Sequence, residues 1–329
     1  TAQADEGYRQ RSFTSKHQPP FAAGQAYRQG VVSVANPYGA EAGAKILERG
    51  GNAIDAAVAI AYALNVVEPQ SAGIGGGGFM MIHLSGRGGD NERHDGDGRG
   101  RERGRTFAID TREKAPAGAT PNMFVGVPNA SLQGVAVGVP GMVRGSELAL
   151  RRFGRLDLSD VIQPAITLAD DGFAATPRYA LVSCNARSQN SPEAAAVFCP
   201  NGNGTLGPLA GSLVQNKPLA ETLRLIARHG ADCFYRYMPE KGCDIAKGIV
   251  EGQNFAKPGL LANNVLAPGK GGSMTYEDLA AYRPALRAPT QGTYRGYTIK
   301  AMSPPSSGGL TLLQMLKMLE RFPLGDAAQ

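Results

Sequence analysis

The chain has no tryptophan, only four cysteines and four histidines in 329 residues, and an aromatic content of 7%. A core without large rings must fill its volume with closely packed small side chains, which the abundant Ala and the 44 Gly permit. This favours layered helices and strands over a small bundle, either as two average domains or as one large unit. No apolar stretch reaches the ~18 residues of a membrane-crossing helix, so no membrane span is expected. Cys184, Cys199, Cys233 and Cys243 form no C-x-x-C pair and lie near no histidine cluster, so no metal site is expected. At their short separations they fit either two disulfides in an oxidising compartment, with three possible pairings, or four buried thiols in a cytosolic protein. There is no G-x-S-x-G elbow to support a serine hydrolase. His17, His83, His94 and His229 are scattered through an arm, a strand, a loop and a helix end. No internal repeat is present. The first residue is Thr rather than Met, so upstream residues are expected to have been removed or left out.

Concentrated charge of one sign is also missing. The net charge is +6, but the densest charged stretch, "GRGGDNERHDGDGRGRERGR" at residues 86–105, sets six arginines beside five acids. A nucleic-acid binder concentrates Lys and Arg instead, so no nucleic-acid partner is expected. With almost no apolar residue the stretch reads as a mobile charged loop between two strands. Residues 1–29 are likewise polar and aperiodic, a loosely attached arm ahead of the main portion, 30–329.

What is present is a clear order of elements. "GVVSVAN" reads as a short strand, and Asn36-Pro37 supplies a cap and an N1 proline for a helix to about Arg49. Gly50-Gly51 ends it, and Asn52 caps a second helix, "AIDAAVAIAYALNVV", apolar over most of its circumference and therefore enclosed between layers. "GFMMIHL" and "RTFAID" flank the charged loop as hairpin partners. "GVAVGVPGMVRGSELALRRFG" reads as a strand running into a helix, and "LSDVIQPAITLADDGF" as a helix broken at Pro164. Residues 184–216 read as loop. "KPLAETLRLIARHGADCFY" is an amphipathic helix with Leu219, Leu223 and Ile226 on one face. Thr275 caps a turn to which Asp278 reaches back, "APTQGTYRGYTIKAM" forms paired strands, and "SPPSSGGLTLLQMLKMLERF" is a turn feeding a helix with Ser306 or Ser307 as its cap.

Between the second helix and the strand lies "SAGIGGGGFM", in which Gly73 to Gly78 satisfy the G-x-G-x-x-G pattern of dinucleotide sites. That pattern needs a strand entering and a helix leaving, so that free N–H groups meet the pyrophosphate. Here a helix enters and a strand leaves. The glycines are expected to let the turn pack tightly on a neighbouring backbone.

Four long stretches, "GGNAIDAAVAIAYALNVVEPQSAGIGGGGFMMIHL", "AIDTREKAPAGAT", "GVAVGVPGMVRGSELALRRFGRLDLSDVIQPAITLADDGF" and "YRGYTIKAMSPPSSGGLTLLQMLKMLE", together resemble the large subunit of γ-glutamyltransferases, also called γ-glutamyltranspeptidases. The resemblance runs in order from about Val31 to Phe322. It implies an α/β (α+β) fold, the αββα four-layer sandwich of N-terminal-nucleophile hydrolases, completed by a small subunit cut from the same precursor. The nucleophile is then the Thr that heads that small subunit, its free amine serving as base. No catalytic residue is expected in this chain. Thr1, in a polar tail rather than before a strand, is not nominated. The family's large subunit usually runs past the position of Gln329, so the chain is expected to be an incomplete large subunit.

One site residue carries over. In "AIDTREKAP" the family places an Arg that binds the α-carboxylate of the γ-glutamyl group, and that position is Arg112. A guanidinium matches a carboxylate with two parallel hydrogen bonds. The residues alone favour a structural ion pair of Arg112 with Glu113, Asp110 or another acid, and the surrounding motif reverses that weighting. The resemblance implies γ-glutamyl substrates such as glutathione, no cofactor, and a periplasmic or secreted location. The rivals are a glutaryl or cephalosporin acylase of the same fold and a binding protein that has lost autoprocessing.

Overall fold

Asn36 opens the first helix, α1 (Pro37–Glu48), by accepting the Tyr38 N–H on its side chain at 3.0 Å. Gly50, at φ +91°, turns the chain, and α2 (Ala53–Val67) begins in a capping box. Asn52 accepts the N–H groups of Ile54 and Asp55 at 2.8 and 3.1 Å, while Asp55 takes the Asn52 N–H at 2.7 Å. Asp55 is fully buried, and it also receives the backbone N–H groups of Arg155 and Leu156, at 3.0 and 3.3 Å. These donors offset the cost of taking a carboxylate out of water, and they pin the start of α2 to a segment a hundred residues on. Val58, Ala59, Tyr62, Ala63 and Val67 of α2 are buried, as a helix apolar on all sides requires.

The computed structural model describes residues 30–85, 104–186 and 188–322. The arm at 1–29 and the charged loop at 86–103 lie outside the described residues. Arg105 does not belong to that loop: it begins a strand, its guanidinium 5.4 Å from the Phe107 ring. After α2 come β1 (Phe79–Leu84), β2 (Arg105–Asp110), α3 (Met142–Phe153), α4 (Leu158–Val161) and α5 (Gln163–Asp170). Pro164 sits in the first turn of α5, where its missing N–H costs nothing. Then follow β3 (Phe173–Ala174), α6 (Pro177–Val182), α7 (Pro192–Phe198), β4 (Leu213–Val214), α8 (Lys217–His229), α9 (Asp232–Tyr235), α10 (Ile245–Gly252), β5 (Gly259–Leu260) and β6 (Leu266–Ala267). The chain continues through α11 (Tyr276–Ala281), β7 (Ala285–Arg287), β8 (Thr290–Tyr294), β9 (Tyr297–Ala301) and α12 (Gly308–Leu319). All of these belong to a unit that starts at Val32.

The largest sheet among the described residues has the order β1-β2-β7, antiparallel throughout, with Phe79 opposite Asp110 and Ile109 opposite Leu286. Strand alternation puts Met80, Ile82, Phe107 and Ile109 on the face that joins the helical core. The other face carries Met81 and His83, both exposed. The expected mixture of helix and sheet is present, one sheet backed by helices on one side. A second hairpin, β8-β9, turns at Arg295 and Gly296, both at positive φ, and supports α12.

Four local expectations need correction. The strand read in "GVVSVAN" does not form: among the described residues, 30–34 pair with no strand, and the chain bends at Ala35-Asn36 into α1. The strand read in "GVAVGVP" reduces to one bridge between Val139 and Lys114 after a 3-10 turn at Gly134–Ala136, because Gly138 and Pro140 interrupt it. Residues 184–216 are not all loop: Ser191 accepts the Ala194 N–H at 3.2 Å and starts α7. Ser307 occupies the position before α12 without a side-chain cap, its own backbone being helical. The cysteines pair as Cys184–Cys199 and Cys233–Cys243, which selects one of the three connectivities and removes the free-thiol alternative.

Candidate functional site

The loop leaving β2, Thr111-Arg112-Glu113, is held from several sides. Gly78 and Thr111 extend the β1-β2 ladder, Thr111 N–H donating to the Gly78 carbonyl at 2.9 Å, and the Thr111 hydroxyl reaches the same carbonyl at 3.0 Å. Gly77 lies directly against the loop: a methyl group there would stand 2.2 Å from the Thr111 oxygen and 3.1 Å from the Arg112 Cα. Gly141 meets it from the start of α3, where a methyl would stand 2.1 Å from both the Thr111 oxygen and the Tyr282 hydroxyl. The Gly76 carbonyl ties these parts together by accepting the N–H groups of Gly141 and Met142 at 2.9 and 3.0 Å.

The glycine run is therefore a bed for the Arg112 loop. The N–H groups of Gly76 and Gly78 already donate to the carbonyls of Gly73 and Thr111, so they do not form a ring of free donors for a phosphate.

Within this bed the backbone of Arg112 is fastened at both ends. Its N–H donates to Asp110 Oδ1 at 2.9 Å, and its carbonyl accepts the Tyr282 hydroxyl at 2.9 Å. Asp110 is buried and its other oxygen takes Arg287 Nε at 2.7 Å, so one carboxylate joins the loop to the neighbouring strand β7. The side chain of Arg112 is much freer. It is 53% exposed, its Nε meets Glu113 at 3.2 Å, and its guanidinium lies 5.6 Å from the Phe79 ring. An ion pair this exposed contributes ~0–1 kcal/mol, so it aims the guanidinium without committing it. Among the described residues the terminal nitrogens of Arg112 have no partner, leaving the planar end of the fork for a ligand.

Tyr282, just beyond α11, stacks on Tyr235 with ring centroids 5.8 Å apart and planes at 15°. Lys114 Nζ lies 5.1 Å from the Tyr282 ring. Burial, and then the charges of Asp110 and Glu113, push the Tyr282 phenol above its ordinary pKa and keep it a hydrogen-bond donor. Tyr235 donates its hydroxyl to the Pro140 carbonyl at 2.8 Å, and the Arg144 guanidinium covers its ring at 4.7 Å. The Cys233–Cys243 disulfide closes the short segment that carries Tyr235.

Of the residues singled out in the sequence, Arg112, its neighbours Asp110 and Glu113 and the glycine run stand in this arrangement, and the Arg112–Glu113 ion pair does form, at 3.2 Å. Thr1, His17 and His94 lie outside the described residues. His83 faces Thr106, its Nδ1 2.8 Å from the Thr106 hydroxyl, and His229 ends α8. Neither has a serine–carboxylate pair beside it among the described residues. Asp110 was foreseen only as an ion-pair partner for the Arg112 side chain, whereas it accepts the Arg112 backbone N–H and pairs with Arg287; Tyr282 and Arg287 were not foreseen. Asp110 had a local signal, an Asp two residues before the Arg, as in an Asx-turn. Tyr282 had none, because 170 residues separate it from Arg112.

The γ-glutamyltranspeptidase family model matches residues 39–329. A glutathione hydrolase proenzyme of Bacillus subtilis is 42% identical over 308 residues, covering 91% of this chain and 46% of that protein. An acylase proenzyme of a Pseudomonas species is 36% identical over 312 residues, 91% of this chain and 49% of its own length. The chain thus spans about half the length of the curated relatives it matches. The crystal structure of Helicobacter pylori γ-glutamyltranspeptidase superposes with a TM-score of 0.76 at 38% identity, covering 93% of this chain and 78% of that one. The family match over residues 39–329 and the likeness to a solved γ-glutamyltranspeptidase lead to one conclusion: this chain belongs to the γ-glutamyltranspeptidase family.

Proposed function

We propose that this chain is the large-subunit portion of a γ-glutamyltransferase, and that Arg112 binds the α-carboxylate of the γ-glutamyl group of glutathione and related compounds. The observation that carries the reading is the contrast at Arg112 between a backbone fastened at both ends and a guanidinium tied only by one exposed ion pair. A rigid mount with a free planar fork suits bidentate capture of a carboxylate. The companion half, cut from the same precursor, would pack on the exposed sheet face that bears Met81 and His83, and complete the αββα sandwich.

In the reaction, the hydroxyl oxygen of the Thr heading the companion attacks the γ-carbonyl carbon, and its proton passes through the Thr amine to the departing nitrogen. A γ-glutamyl ester remains. Water, or the amine of an amino acid or peptide, then attacks the ester carbon and returns the proton to the Thr oxygen. Arg112 holds the glutamyl end in register through both steps, and donors for the oxyanion come from the companion. No cofactor takes part in this scheme. Two disulfides support a periplasmic or secreted location.

Replacing Arg112 by Ala in the assembled enzyme is expected to raise KM for a γ-glutamyl anilide about 30-fold, equivalent to ~2 kcal/mol from a carboxylate pair with one partner removed. An unchanged KM would remove Arg112 from the site. The likeness to an acylase keeps a second reading in the test: faster hydrolysis of a glutaryl anilide than of the γ-glutamyl anilide would favour the acylase. A precursor that stays a single uncut chain would favour a binding protein instead.

A further inference from the structure

Building on the reading of Arg112 as the carboxylate anchor, we propose that Tyr282 is its positioning residue: the phenol, by donating to the Arg112 carbonyl, sets where the guanidinium meets the substrate.

An arginine side chain has several rotatable bonds, and this one is half exposed, so its reach is defined mainly by where its backbone sits. The two backbone ties differ in kind. Asp110 lies two residues away, and its bond to the Arg112 N–H is part of the local turn. Tyr282 arrives from a distant element, and its bond fixes the loop relative to the body of the protein. The donor itself is immobilised. Its ring rests on Tyr235, which is held by the Pro140 carbonyl, by the Arg144 guanidinium and by the closed Cys233–Cys243 loop. Gly141 leaves the space the hydroxyl needs. The phenol remains protonated across the working pH range because burial and the nearby Asp110 and Glu113 charges oppose its ionisation. Loss of the hydroxyl would free the carbonyl end of residue 112 and let the guanidinium drift, a displacement that weakens substrate binding before it alters chemistry.

Tyr282→Phe tests this, because Phe keeps the stacked ring and removes only the hydroxyl. In the assembled enzyme, KM for a γ-glutamyl anilide should rise about fivefold with kcat nearly unchanged, as expected for loss of one neutral hydrogen bond. With 4-aminobutanoyl anilide, which keeps the amine and lacks the α-carboxylate, kcat/KM should not change. On an Arg112→Ala background the Phe substitution should add nothing. An unchanged KM for Tyr282→Phe, while Arg112→Ala still raises it, would overturn the positioning role and leave the anchor intact. Equal losses on both substrates would mark general structural damage and overturn it too. If Arg112→Ala itself has no effect, the anchor reading fails first.

Discussion

The five glycines of the run differ in what a single methyl group would do, and Gly77 is the sharpest case. A Cβ there would lie 2.2 Å from the Thr111 carbonyl oxygen and 3.0 Å from the Glu113 nitrogen, and both are backbone atoms that cannot turn aside as a side chain can. To reach ordinary contact the loop must move by about 1 Å, the scale at which overpacking costs ~1–3 kcal/mol. At ~2–4 °C per kcal/mol, the value for large domains, Gly77→Ala should lower the melting midpoint by about 2–12 °C. It should also weaken catalysis, since the displaced segment carries Arg112, and a shift near 1 Å can cost ~100-fold in kcat/KM. Gly75 is the internal control: a Cβ there meets nothing within 4 Å. Thermal melts and γ-glutamyl anilide kinetics on Gly77→Ala and Gly75→Ala, side by side, should therefore separate the two. If both variants melt and turn over alike, the glycine run is not the bed of the Arg112 loop.

Two further outcomes follow from pairings seen here. Peptide mapping of the unreduced protein should recover Cys184–Cys199 and Cys233–Cys243 and no other pair, and Cys233→Ser with Cys243→Ser should cost ~2–4 kcal/mol in denaturant unfolding. Asp170 accepts from Lys217 Nζ at 2.7 Å and pairs with Arg224, and these bonds hold its carboxyl below the usual range. Its folded pKa is depressed, so its contribution is complete above the unfolded carboxylate's value near ~4 and is lost as pH falls through the folded value. Asp170→Asn should therefore flatten the acid limb of stability against pH below about 4 and leave the dependence near neutrality unchanged.

What could be read locally was read well where the physics is local. Asn36-Pro37, the Asn52 cap and the Thr275–Asp278 box all form as expected, because a cap satisfies backbone groups within three or four residues of itself. The hairpin pairing of "FMMIHL" with "RTFAID", read from two apolar runs flanking the charged loop, also forms. The α7 helix was legible in "SPEAAAVF", a Ser cap before an N1 proline, but the surrounding loop residues outweighed it. The "GVAVGVP" strand failed because residues that suit a pleated surface found no partner strand beyond Lys114.

By itself, then, the sequence determined most of the caps, the helical and strand periods and the family, and through the family resemblance it singled out Arg112 as the candidate carboxylate anchor. Only tertiary structure decided which cysteines pair, what the glycines pack against, and how Arg112 is mounted. Those depend on atoms brought together across large separations, Gly77 against Thr111 and Tyr282 against Arg112, and no local preference encodes a contact whose two halves are selected by the packing of everything between them.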